Sequence, residues 1–471
     1  MDEFKYLFPF EKIPPKSKVL IYGAGELGQL YLKQICITNY CNIVGLLDRN
    51  YKCYDDSTTV FFAPEKVGNI DFDYVVIAVK SKTSLSEMYR VLDEAGIPHK
   101  KIIYVGTRKN EKKIFLHYGS GQDKIKKQAH DDTKIDLAFY ILSGIGGLLF
   151  IKRYIIELLK DIPECRVDLY AKEHIDAIKF LLSDIENINR VVFSMNNEYL
   201  SCSCNYDLSI TVIGSGIIAV DAFDENKLGI KAPFFADKIR KLVETLQDEE
   251  FTMDTPRIAF FEASKYLQKN AYTVFERGIW DLSDWHVNVP LTKYGYGKYK
   301  ALNLKQYITF NSANGISAYA DKVAKAWPLY YFEETIARFK RKYPNVEVIQ
   351  VGAVSSVKIA SADRFVLGED LSMVAHILNN AIFHLDIEGG LVHIASQLGT
   401  KCIVLFGPTP EYYYGYLNNI NIKVGNCHDC CGIYANYNRC ARGLKCPPCM
   451  YNITPELVMN RIDIVMNSLK E

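Results

Sequence analysis

An excess of charge of either sign is what this 471-residue chain most plainly lacks. Its 56 Lys and Arg against 55 Asp and Glu leave a net charge of +1. No global field therefore draws it to nucleic acid or to an anionic membrane, although local basic patches are not excluded. Any apolar run near the ~18 residues that a membrane span requires is also missing. The longest apolar-looking stretch, 138–151, is interrupted by three glycines. Met1-Asp-Glu-Phe-Lys places charge where a secretory segment would turn apolar. The expectation is a cytoplasmic protein, peripheral to the inner membrane at most. Its 13 cysteines then read as thiols or metal ligands rather than disulfides. No tandem repeat is found. With 3 Trp, aromatic content rests on 32 Tyr and 24 Phe, which fill cores first and can also stack on bases or sugars. At ~150 residues per domain, the length implies about three domains.

The most informative stretch runs from Phe383 to Thr409. An apolar run at 381–385 ends in Asp386, and a helix opens at Glu388-Gly389-Gly390 and closes at Gly399. A second apolar run at 402–406 ends in Gly407-Pro408-Thr409. Two glycines at a helix start let backbone amides approach an anion, and the helix dipole favours negative charge there. With Asp386, Glu388 and His393 beside it, this turn suits a diphosphate-sugar.

The first block, 1–108, alternates strands (19–22, 42–47, 73–79, 101–105) with helices (26–36, 84–95), which predicts a parallel, doubly wound sheet. Gly23-Ala-Gly25-Glu-Leu-Gly28 sits between strand and helix, and Asp48 ends the next strand. That is the context of a dinucleotide-binding fingerprint, so Gly23, Gly25, Gly28 and Asp48 are candidate contacts to an NAD-like or other nucleotide. The bland alternative is a tight turn with no ligand. The block resembles the small Rossmann-like domains on sugar-modifying proteins of bacterial surface polysaccharide pathways. Residues 109–133 are polar and lysine-rich and read as a linker.

Two further α/β blocks follow. In 134–304, strands are expected at 136–142, 167–171, 191–194 and 208–212, with helices at 148–159, 234–246 and 264–280. In 305–471, strands are expected at 307–310 and 346–351, with helices at 329–341, 371–379 and 455–469. Two successive α/β halves suggest two Rossmann-like lobes across a cleft.

Several motifs in this region resemble glycosyltransferase family 9, the heptosyltransferase family. They are Leu142-Ser-Gly-Ile-Gly-Gly-Leu-Leu149, Phe310-Asn-Ser-Ala-Asn-Gly315, Lys325-Ala-Trp-Pro328, Glu369-Asp-Leu371, Asp386-Ile-Glu-Gly-Gly-Leu-Val-His393, Phe406-Gly-Pro-Thr409, and Cys449-Met450 with Ile453-Thr-Pro455-Glu-Leu-Val458. Each alone is modest; their order and context carry the resemblance. It implies a GT-B core of two lobes, 134–304 for the acceptor and 305–471 for the donor, behind an appended N-terminal Rossmann-like domain. It implies an inverting transferase with a nucleotide-diphosphate-sugar donor, commonly ADP-heptose. The acceptor would be a surface glycan such as lipopolysaccharide, a lipid-linked glycan or a glycoprotein. Lys325 would neutralise the departing diphosphate. Asn311, Asp386, Glu388, Gly389, Gly390, His393 and Thr409 would line the donor site. Nucleic acid is not an expected partner, and a homo-oligomer stays open.

One position departs from the pattern. Many active members end the first glycine loop in an aspartate thought to act as general base, and here Gly147 stands there. Glu276, His286 or Asp284 would have to supply a base, or the acceptor needs little assistance. In the alternative reading the lobes no longer catalyse, and the chain is a sugar-nucleotide-binding or assembly protein. An oxidoreductase or epimerase reading of the first block is weaker, because no Tyr-x-x-x-Lys pair follows its strands.

Six cysteines crowd the loop 427–449. Paired Cys-x-x-Cys knuckles suit tetrahedral thiolate binding of zinc or iron. Cys427, Cys430, Cys446 and Cys449 form the most economical set, with Cys440 or Cys431 as substitutes. Reduced thiols are the plain alternative.

Overall fold

A computed structural model describes residues 8–9, 12–14, 16–38, 40–54, 59–106, 117–118, 134–248, 261, 264–265, 267–312, 324–431, 440 and 444–468. Three sheets succeed one another along the chain, each built on a parallel core. The first comprises β1 (Lys18–Tyr22), β2 (Asn42–Leu47), β3 (Phe61–Phe62), β4 (Tyr74–Ile77) and β5 (Ile102–Ile103), in the order β3-β2-β1-β4-β5. Its β1 shows why. Val19 and Ile21 enter one apolar cluster, while Leu20 and Tyr22 enter another on the opposite face. A strand buried on both faces needs a continuous apolar run rather than alternation. Helices α1 (Glu26–Thr38) and α2 (Lys82–Glu94) provide the crossovers.

The second sheet comprises β6 (His117–Tyr118), β7 (Asp136–Leu142), β8 (Arg166–Ala171), β9 (Ile188–Phe193), β10 (Leu208–Ile213) and β11 (Ile217–Phe223), in the order β6-β11-β10-β7-β8-β9. β10 and β11 form an antiparallel hairpin across Gly216 at φ 100°, a conformation that suits glycine. The third sheet, β12 (Tyr307–Phe310), β13 (Glu347–Gly352), β14 (Arg364–Leu367), β15 (His384–Ile387), β16 (Cys402–Leu405) and β17 (Ile420–Ile422), runs β14-β13-β12-β15-β16-β17. Every pair in it is parallel. Strand order reverses beside β1, β7 and β12 in the three sheets, and ligands of such sheets bind at that reversal. The second and third are the two Rossmann-like lobes of a GT-B core.

The lobes share one apolar core. It runs from α3 (Ile145–Leu159) through Tyr272, Phe275 and Trp280 to Val374 and Val392 of the second lobe. The segment 267–289 joins them as a strap. The sequence predicts a helix over 264–280, but among the described residues of that span only 264–265 are α-helical, and a 3-10 turn follows at Thr273–Glu276. The reason is local. The Asn270 carboxamide oxygen accepts the Tyr272 and Thr273 amides, competing with helical bonding, and Gln268 and Arg277 are left-handed. Lys152 of α3 fastens the strap to the first lobe. Its ammonium is fully buried, ion-paired with Asp184, and donates to the carbonyls of Leu181 at 2.7 Å and Asn288 at 2.8 Å. Arg277 donates to the Gly216 carbonyl at 2.7 Å. Among the described residues, no helix is long and apolar enough to cross a membrane.

Candidate functional site

In the first lobe the strand order reverses between β7 and β10. The loop after β7, Ser143 to Gly147, opens α3 with Gly144 at the N-cap, and no side chain caps that helix. Gly147 lies against Gly214, which follows β10. A Cβ at position 147 would stand 2.1 Å from Ser143 Oγ and 2.9 Å from Gly214 Cα. The glycine is thus required by the close approach of two loops, and this packing leaves an aspartate no place here.

In the second lobe the reversal lies between β12 and β15. Asn311 Nδ2 donates to both carboxylate oxygens of Asp386, at 3.3 and 3.2 Å, and His384 Nε2 lies 3.3 Å from Asp386 Oδ2. Asp386 is 1% exposed. Burial raises its pKa, and the His384 and Asn311 contacts offset only part of this. Asp386 and Asn311 are thereby committed to each other, closing β12 against β15. Glu388, two residues later, is the hub. Its Oε2 takes Lys325 Nζ at 3.1 Å, and its Oε1 takes His393 Nε2 at 3.2 Å. Burial alone would raise this carboxyl. The Lys325 cation and the His393 hydrogen bond overcome that and lower it to about 2.

Helix Gly390–Gln397 starts here and also carries no side-chain cap. Its first residue meets the first lobe: a Cβ on Gly390 would lie 3.1 Å from Gly146 N. A Cβ on Gly389 would meet only the Ile387 carbonyl, at 3.7 Å, so that side is open. Two uncapped helix starts, one per lobe, therefore converge with Lys325 beside them. Their dipoles and amides favour an anion.

The loop 407–410 carries Thr409, which is 1% exposed. The cysteine segment braces it from behind. The Asp429 amide donates to the Gly407 carbonyl at 3.3 Å, and the Cys431 amide to the Pro408 carbonyl at 2.8 Å. A Cβ on Gly407 would strike Met450 Sδ at 2.3 Å, with Cys449 Sγ at 3.5 Å. The Cys449 thiol is strongly raised by its hydrogen bond with Cys427, by burial, and by Cys430 and Cys440. Cys427 and Cys449 are therefore hydrogen-bonded neighbours, whereas Cys446 is exposed. None of the 13 cysteines is in a disulfide. Among the described residues, no group of three or more His, Cys, Asp or Glu side chains is arranged to hold a metal ion.

Other candidates lie apart from this group. Glu276 is ion-paired with Lys269 and accepts the Leu282 amide at 3.3 Å, both within the strap. His286 and Asp284 are exposed on the strap, where the His286 amide donates to Asp284 Oδ1 at 3.1 Å. None of the three makes a hydrogen bond or ion pair with Lys325, Glu388 or His393. Three residues that sequence reading missed do join the group. His393 Nδ1 lies 3.0 Å from Tyr416 OH, Tyr416 OH 2.8 Å from Tyr272 OH, and Gln397 Nε2 2.7 Å from Tyr272 OH. Only the aromatic run Tyr412-Tyr-Tyr-Gly-Tyr416 hinted at one of them.

The N-terminal module has its own cleft of about 440 Å³ at the reversal between β1 and β4, lined by Gly23, Gly25, Asp48, Arg49, Asn50 and Ser84 among others. Gly23 at φ 108° sits where a Cβ would strike the Ala78 carbonyl at 2.6 Å, and a Cβ on Gly28 would strike the Gly23 carbonyl at 1.8 Å. Gly25 faces open space. The Asp48 carboxylate turns inward, taking the Ala24 amide at 2.8 Å and the Asn50 amide at 2.9 Å.

Two facing Rossmann-like lobes with paired glycine turns define the class as a GT-B-like fold. Residues 279–438 match the family model of glycosyltransferase family 9 (heptosyltransferase). Residues 15–103 match the C2185-like, N-terminal family. No curated protein matches the chain. Among solved structures, the ADP-heptose lps heptosyltransferase II of E. coli shares 13% identity at a TM-score of 0.46, over 72% of this chain and 100% of that one. A family 9 glycosyl transferase from Veillonella parvula gives 14%, 0.46, 73% and 100%. The dodecameric iron-containing heptosyltransferase TibC of E. coli, in complex with ADP-D-beta-D-heptose, gives 14%, 0.45, 72% and 77%. At these scores the superpositions are loose.

Proposed function

We propose that this chain transfers a sugar from a nucleotide-diphosphate-sugar, ADP-heptose-like, to a hydroxyl of a surface glycan or glycoprotein, with inversion at the anomeric carbon. The observation that carries the proposal is Lys325 held by Glu388 beside the uncapped start of helix Gly390–Gln397, within a family 9 domain. In direct displacement, negative charge grows on the departing diphosphate. A pre-placed ammonium and aligned amides stabilise that charge more than they stabilise the ground state. Glu388 keeps Lys325 in place while the site is empty of donor. The diphosphate would then compete for the same ammonium. The proposed domains are 1–108, 134–304 and 305–471, with 109–133 between the first two; within that segment His117–Tyr118 pairs with β11.

Zinc or iron on Cys427, Cys430, Cys446 and Cys449, with Cys440 or Cys431 as substitutes, is proposed from the soft donor set alone. The metal would supply only a brace for loop 407–410. Metal analysis of the purified chain, with Cys449→Ser as control, tests it.

Gly147 supports a second reading, a chain that binds sugar-nucleotides without turning them over. The full-length protein is incubated with nucleoside-diphosphate-sugars, with and without glycan acceptors. Release of nucleoside diphosphate that depends on Lys325 supports transfer. Binding without release under every acceptor favours the second reading.

A further inference from the structure

A buried chain of hydrogen bonds reaches Glu388 from the strap, and its direction is set by two backbone groups. Gln397 Oε1 takes the Val287 amide at 2.8 Å, and that amide can only donate. Gln397 Nε2 lies 3.1 Å from the Trp285 carbonyl, which can only accept. The carboxamide is thereby oriented, and its second N–H donates to Tyr272 OH at 2.7 Å. Tyr272 must place its own proton on Tyr416 OH, 2.8 Å away. Tyr416 must then donate to His393 Nδ1 at 3.0 Å. The opposite order leaves the Tyr272 proton without an acceptor in a fully buried site, which is costly. With Nδ1 accepting, the proton of a neutral imidazole sits on Nε2 and points at Glu388 Oε1, 3.2 Å away.

We infer that Tyr416, Tyr272 and Gln397 are positioning residues that lock His393 as the neutral Nε2–H tautomer, so that Glu388 stays an ionised carboxylate and holds Lys325 where the donor diphosphate arrives. The inference rests on the transferase reading only for what Lys325 does. The chain joins both lobes: Val287 and Trp285 belong to the strap, while His393, Gln397 and Tyr416 belong to the second lobe. All five side chains from Glu388 to Gln397 are buried: Glu388 5% exposed, His393 2%, Tyr416 5%, Tyr272 3% and Gln397 7%. Phe150 of α3 lies edge-on to His393 with centroids 4.9 Å apart, shielding the imidazole from water. Neither His393 nitrogen is left over to act as a general base. His393 serves the reaction through Glu388 rather than by touching the acceptor.

The tautomer itself is read without donor; turnover is read separately. In the full-length protein labelled with ¹⁵N-histidine, His393 is assigned by its loss in His393→Asn. At neutral pH its Nδ1 should resonate as an unprotonated acceptor and its Nε2 as a protonated nitrogen. Gln397→Glu puts an acceptor where Nε2 donated. Tyr272 then donates to position 397, the order reverses, and His393 gains a proton on Nδ1. Where that variant fails to fold, Tyr416→Phe replaces it. It removes the donor to Nδ1 and should cut turnover about tenfold while the KM for acceptor stays unchanged. Protonated Nδ1 in the wild type overturns the inference, as does a Tyr416→Phe protein with unaltered turnover and His393 resonances. The predicted tautomer in a protein that transfers from no donor overturns the transferase reading alone.

Discussion

Gly146 of the first lobe rests on the imidazole of His393 in the second: a Cβ at position 146 would stand 2.4 Å from His393 Cδ2. The lobes meet at this point because position 146 has no side chain. Gly146→Ala therefore forces the ring or the helix start aside. Overpacking of this kind costs about 1–3 kcal/mol. Thermal denaturation should show a lowered Tm, and a variant as stable as wild type contradicts the close contact.

Lys325→Met leaves Glu388 buried with His393 as its one remaining partner among those described. Loss of the ammonium should lower turnover by about 10²–10³, the range for removing one preorganised group from developing charge. A pH signature accompanies this. The Glu388 carboxyl is depressed to about 2, so its stabilisation is present above its unfolded pKa of about 4.5 and lost as pH falls from there toward 2. The stability gap between wild type and variant should be widest above pH ~5 and close at lower pH. Chemical denaturation across that range checks it.

Asp221 gives the opposite sign. Burial raises it to about 6, against hydrogen bonds from Thr211 at 2.8 Å and Tyr199 at 3.0 Å. A raised carboxyl binds its proton more tightly when folded, so stability is lost as pH rises from about 4 through 6. At 1.36 kcal/mol per unit this amounts to about 2–3 kcal/mol. Asp221→Asn should flatten the stability profile in that window. A profile with unchanged slope counts against the raised pKa of the buried Asp221.

Gly147→Asp restores the residue common in active relatives of the resemblance. The packing against Gly214 and Ser143 predicts lost stability of about 1–3 kcal/mol and no gain in rate. An increase in turnover would show that loop 143–147 relaxes readily and that position 147 still belongs to the chemistry.

The fold was legible where a strand or helix states itself locally. The apolar runs of β1, β7, β10 and β16 each declare a strand, and the glycines at 23–28, 143–147 and 389–390 each mark a strand leaving for a helix. The hairpin strand β11 was not read, because its apolar residues continue those of β10 across a Gly-Ser-Gly turn. The helix expected over 264–280 fell to Asn270, whose side chain captures amides that a helix would bond to carbonyls. In the site, Lys325, Glu388 and His393 could be read from a local motif. Tyr272, Gln397 and Tyr416 could not: they lie up to 144 residues apart and meet only through the strap, which no spacing encodes. Asp386, read from its place after an apolar run, lies buried against Asn311 and His384. Residues 313–315 of the Phe310–Gly315 motif and most of the linker 109–133 lie outside the described residues.

The most direct test is calorimetric titration of a nucleoside-diphosphate-sugar into the full-length protein and two variants, Lys325→Met and Gly25→Val. Position 25 faces open space in the N-terminal cleft, so valine fits there and fills it. The account predicts binding weakened about tenfold or more by Lys325→Met and unchanged by Gly25→Val. Binding abolished by Gly25→Val and untouched by Lys325→Met would place the donor in the N-terminal module and contradict it.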